Sequence, residues 1–185
     1  MNPLPARMNI PLLKPFIPPI ASPDLGPGPR AGTIALAELN HQLDAASSAA
    51  WPTQSSANLL RAAILLWHDH HDAAHEIVQD LSSPDGNYLH AILHRREPDY
   101  FNAKYWFRRV GQHPCHAELA SRAAIILDAS SDSMLKKKLL PRGGWDALAF
   151  VDACEISASP RVPWHDMLRQ IQQAEFEILL ATLGG

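Results

Sequence analysis

The sequence predicts an all-α fold. Antiparallel helix pairs stack over residues 33–185, preceded by a proline-rich extended arm over residues 1–32. One observation is a hydrophobic stripe that repeats. Leu60, Ala63, Ile64 and Trp67 share one helical face. Leu89, Ile92, Leu93 and Arg96 lie 29 positions further on, counting from Leu60 to Leu89. The same offset carries Ala74, Ile77, Val78 and Leu81 onto Ala103, Trp106, Phe107 and Val110. One shift that serves two helices and the gap between them marks a duplicated helix pair, a unit that buries its apolar face only against a neighbour. The other observation is where proline falls: nine of the sixteen lie between Pro3 and Pro29.

The arm comes first. Proline fixes φ and removes amide donors, so this segment is neither helix nor central strand. Ile10, Leu12, Leu13, Phe16, Ile17 and Ile20 make it too apolar for a free linker. It is expected to lie on the domain's own surface, the alternative being a polyproline ligand for a partner. Thr33 can cap a helix through Leu36, Leu39 and Leu43, which AASSAAWPTQSS then ends at Pro52.

The first pair spans about 57–82, with Ser55 or Ser56 as cap, a turn near His70 and Asp72 as the second cap. The second spans 86–111: Ser83-Pro84-Asp85-Gly86 starts it, Glu97-Pro98-Asp99 divides it and Gly111 ends it. A third, stretched copy spans 116–155. Its stripes are Ala120, Ala123, Ala124, Leu127 and then Ala147, Phe150, Val151, Cys154, separated by an insertion over 130–144. Long loops of this kind are often functional, although the run Lys136-Lys137-Lys138 reads first as a solvated surface. A last helix over 163–183 carries Met167, Ile171, Ala174, Ile178 and Ala181 on one face and is expected to cap the open end of the stack.

Composition sets outer limits. A net charge of -3 draws the chain toward neither nucleic acid nor an anionic membrane. Cys115 and Cys154 are too few for a disulfide scaffold and lack metal-type spacing. No apolar run approaches a membrane span, and prolines interrupt any signal-peptide layout, so the expected location is the cytoplasm.

The stretch PDYFNAKYWFRRVGQHP resembles the second helix of a tetratricopeptide-type repeat, over roughly a third of the chain once the preceding pair is included. The roles of turn acid, aromatic, small crossing residue, second aromatic and terminal proline fall to Asp99, Tyr100, Ala103, Phe107 and Pro114, and in the preceding pair to Asp72, Ala74 and Val78. The period is shorter than the usual ~34 residues, and the first-helix tryptophan and glycine are missing. The longer HRREPDYFNAKYWFRRVG also resembles a group of uncharacterised hypothetical proteins. The repeat resemblance implies a right-handed α-α superhelix whose groove holds a peptide or protein partner. Asn102 and Gln79 would bind peptide backbone there, or else cap or bridge helices.

Two clusters are candidates for chemistry. His71 and His75 stand four apart, as do His90 and His94, which puts each pair on one side of a helix. Together these four could hold a divalent metal such as zinc, with Asp69, Asp72 or Glu76 as oxygen ligands, and no other cofactor is implied. The second cluster is Arg95, Arg96, Arg108 and Arg109. These either pair with Glu97 and Asp99 to fix the angle between helices, or bind an anion or peptide carboxylate through their planar forks. Neither GxSxG nor HExxH occurs, so no catalytic residue is named. The sequence therefore leaves three readings: a non-enzymatic module binding a peptide or protein (a homodimer included), a metal-dependent hydrolase, and a carboxylate-binding protein.

Overall fold

The structure, a computed structural model, describes residues 14–17, 22–50, 53–130, 132–158 and 162–184. Its described residues form nine α-helices and no strand: α1 Leu36–Ala50, α2 Gln54–Trp67, α3 His71–Val78, α4 Pro84–Arg96, α5 Tyr100–Val110, α6 Cys115–Asp128, α7 Ser133–Leu139, α8 Ala147–Ile156 and α9 His165–Leu183. Among them no helix is long and apolar enough to cross a membrane.

Local chemistry sets the boundaries. Ser83, Asp99, Asp132 and Asp146 each accept a hydrogen bond from a first-turn amide, which satisfies donors that have no partner inside the helix. Three expected caps lie elsewhere. Thr53, not Ser55 or Ser56, caps α2 by accepting from Ser56 N. Asp72 falls within the first turn of α3, where its charge meets the positive end of the helix dipole. Thr33 donates its hydroxyl to Arg30 O and leaves α1 to begin at Leu36. Gly111 stops α5 with a φ of 64°. Gly86 answers a different need, because a Cβ there would sit 2.5 Å from Leu81 Cβ.

The duplicated stripes are buried alike. Leu60 and Leu89, Ile64 and Leu93, and Ala74 and Ala103 are all fully enclosed, and Phe107 is nearly so. Helices α2 with α3, and α4 with α5, form antiparallel pairs, and α3 leans on α4. The 130–144 insertion is not an open loop: Asp132 caps α7, which turns Leu135, Leu139 and Leu140 into the core and leaves Lys137 and Lys138 outside.

The cap expected over 163–183 corresponds to helix α9. It packs on α2, α6 and α8, with Ile171, Gln172, Ala174, Glu175 and Phe176 buried, and Glu175 reaches Arg95 and Tyr88 on α4. It thus lies against α2 and α6, the first helices of the first and third pairs, and reaches α4 through Glu175.

The described part of the arm lies on its own domain. Gln172 donates to Pro23 O and Asp24 O, and Arg96 donates to Asp24 O and Gly26 O. His68 accepts from Ile34 N at Nδ1, so its Nε2 carries the proton and donates to Phe16 O at 2.8 Å. Ile10, Leu12, Leu13 and Ile20 lie outside the described residues.

Candidate metal centre

Three of the four expected histidines converge. His75 on α3 and His90 and His94 on α4 offer ligand nitrogens that all lie within 4.8 Å of one another. The Nε2 atoms of His75 and His90 are 3.2 Å apart. The cause is the contact of α3 with α4: each helix turns one histidine-bearing side toward the other. His90 and His94, one turn apart, stack at 4.7 Å between ring centroids, and the Trp106 ring covers the other face of His90 at 4.0 Å. The His75 ring stands edge-on to both. This column fixes the ring planes before any ligand enters.

His94 is held at both nitrogens. Its Nδ1 donates to Glu97 Oε2 at 3.1 Å, which leaves Nε2 as the free-electron-pair nitrogen, and Asn102 Nδ2 donates to that atom at 3.1 Å. A carboxylate on the far nitrogen of an imidazole is the arrangement that orients metal-bound histidines. Rotating the Asn102 amide by half a turn would present its oxygen at the same point. His90 Nδ1 is buried and has no hydrogen-bond partner among the described residues. Burial, followed by the neighbouring His94 and His75, lowers the His90 pKa to about 4, and burial likewise lowers that of His94. Both rings are therefore neutral at pH 7, the form that ligates. Burial also raises the Glu97 pKa.

The distances suit a small ion. Zinc–nitrogen bonds of ~2.0–2.1 Å at tetrahedral angles separate the nitrogens by roughly 3.3–3.4 Å. The His75–His90 separation already matches, and closing the third imidazole onto the ion takes a movement on the order of 1 Å relative to that spacing. Three protein ligands leave one position for the Asn102 oxygen or for water.

His71 does not join this group. It begins α3, and its Nδ1 turns back to donate to Asp69 O at 3.1 Å. Asp69 is no metal ligand either, since its carboxylate is held between Arg96 at 2.6 Å and Arg30. Asp72 and Glu76 are exposed on α3.

The arginines divide in two, and the expected pairing with Glu97 and Asp99 is replaced. Arg95 is fully buried and pairs with Glu175 while stacking on Phe150 at 4.6 Å; Arg96 is fully buried and pairs with Asp69. Asp99 caps α5, and Glu97 serves His94. Both guanidiniums are fully enclosed, away from an external anion. Arg108 and Arg109 stay outside on α5, where Arg109 donates to the Tyr105 hydroxyl and lies over the Trp106 ring. Gln79 is exposed at the end of α3 and donates to Glu76 O.

Sequence spacing did not reveal Trp106, Glu97 and Asn102 as parts of the histidine site. A signal was present for Glu97, three residues after His94 and within reach across one helical turn. Comparison with protein-family models, with curated proteins and with solved structures finds no match to this chain.

Proposed function

We propose that this protein binds one divalent transition metal ion, zinc in preference, through His75, His90 and His94, and that the ion joins α3 to α4. The observation behind this reading is the convergence of three imidazoles from two helices within 4.8 Å, with Glu97 behind His94. Imidazole suits zinc, copper, iron or nickel and disfavours magnesium and calcium. Glu97 is engaged with His94, so its first role is to orient that ring. A hydrolase would need it as a base as well. The reading is therefore a binding centre, with metal-assisted hydrolysis as the narrower variant. Elemental analysis of protein purified without a histidine tag tests it. About one equivalent of metal is expected in the wild type, a loss in His90→Ala, and retention in His71→Ala. Metal-free wild type that also takes up no zinc on addition would contradict it.

A second reading, partner binding, draws on one observation. Phe101 is 84% exposed one helical turn from the half-exposed Tyr105, beside Arg108 and Arg109. Because α9 lies against α2 and α6, a partner would use this outer face of α5. Sedimentation velocity tests the homodimeric version: Phe101→Glu should convert a dimer to a monomer, and a wild-type monomer would direct attention to a foreign partner carrying acidic groups for the arginines.

A further inference from the structure

The basic insertion takes no part in the metal centre, yet it walls a cavity of about 960 Å³ between α6 and α7. Its floor is α6, where Ala117, Ala120 and Ala124 keep the helix surface low. Leu140 and Trp145 also line it. Small side chains on α6 leave the space unfilled, while Leu135, Leu139 and Leu140 anchor α7 in the core. Lys136 and Lys137 line it from α7, and among the described residues no acidic one does. Lys136 is paired with Asp128, whereas Lys137 has no carboxylate within ion-pair distance among the described residues. Ligand pockets combine this size and apolar character with a few polar groups that set orientation.

We propose that this cavity binds a small carboxylic acid with an apolar body. The chain or ring of the ligand lies on Ala117, Ala120 and Ala124 against Trp145, and its carboxylate meets the Lys137 ammonium at the rim. A cationic amphiphile of the same length is rejected by Lys137. A neutral one loses the ion pair and binds more weakly. Lysine acts here as a mobile point charge on a long stem, which suits a monoanion at a rim better than a fixed bidentate site.

The test is a fluorescence titration of the full chain with 11-(dansylamino)undecanoate, followed by competition with decanoate, decanol and decylamine. The proposal expects saturable binding of one equivalent, with Trp145 as an energy-transfer donor to the dansyl group. Decanoate should displace the probe at lower concentration than decanol, and decylamine should fail to displace it. Lys137→Glu should weaken binding at least tenfold. Ala117→Trp, at an exposed position on the floor, should abolish it. Both positions are outside the core, so circular dichroism and melting temperature should match the wild type. Absence of saturable binding, or binding that both variants leave unchanged, would overturn the proposal, as would equal displacement by acid and amine. Neither variant touches the histidines, so failure here leaves the metal reading standing, and the reverse holds too.

Discussion

Arg96 occupies the position that Trp67 holds in the preceding pair, which is why the stripe buries a guanidinium. Burial lowers its pKa to about 10 even with Asp69 alongside, so the group stays charged at neutral pH and depends on that carboxylate and on carbonyls from the arm. Asp69 can serve two arginines because its backbone takes a φ of 65°, a conformation aspartate tolerates better than most residues. Asp69→Ala would leave a buried, unpaired charge, and the expected loss is about 3–5 kcal/mol, read from urea unfolding. Glu175→Ala should cost about as much through Arg95. The stripe announced that Arg96 would be buried, but not its partner: Asp69 lies in a turn, and nothing in helical periodicity reports which turn residue points inward. The same limit applies to the histidines. Spacing named His75, His90 and His94, while His71 was lost because a residue at a helix start can bond back to the preceding loop.

A third histidine environment gives a pH test. His113 pairs with Asp85 at 2.9 Å. Burial alone would lower its pKa, but the hydrogen bond to Asp85 and the contact with Cys115 outweigh it and raise the pKa from 6.5 to about 9. A raised folded-state pKa gives stability that is fully present below the unfolded value and is lost as pH rises through the folded one. Stability of the wild type relative to Asp85→Asn should therefore be greatest below pH 6.5 and shrink between there and about pH 9. Denaturant midpoints of the two proteins across that range check this; a constant difference would refute it.

At the scale of elements, the helix pairs were the most legible part because one face of each is apolar at a helical period and the capping residues stand where turns must form. Helix α7 was not legible as a helix. Its seven residues contain three consecutive lysines, and the leucines that bury it number too few to register as periodicity. Leu139 is nonetheless fully enclosed, and Leu139→Ala should cost about 2–5 kcal/mol, measured by thermal or urea unfolding. The position of α9 was equally hidden. An amphipathic pattern tells that a helix has a face to bury but not which neighbour receives it. The buried Gln172 and Glu175 on that helix were the overlooked sign, since polar groups are enclosed only where partners such as Arg95, Tyr88 and the arm carbonyls await them.

Across the whole molecule, α9 and the arm turn a row of helix pairs into a closed core. Glu175 on α9 and Asp69 in the α2–α3 turn neutralise the two buried arginines, and the arm's carbonyls complete the hydrogen bonds of Arg96. The histidine centre lies apart from this, between α3 and α4, where an ion would bind the folded chain and not the unfolded one. Such binding stabilises by mass action, about 2.7 kcal/mol at a free metal concentration one hundred times the dissociation constant. The most direct measurement is the visible spectrum of the apoprotein titrated with cobalt(II), which reports coordination geometry and stoichiometry together. The account predicts the intense absorption of a tetrahedral, nitrogen-rich centre, saturating at one equivalent and absent in His75→Ala and His90→Ala. The weak spectrum of the hydrated ion, unchanged by the wild-type protein, would contradict it.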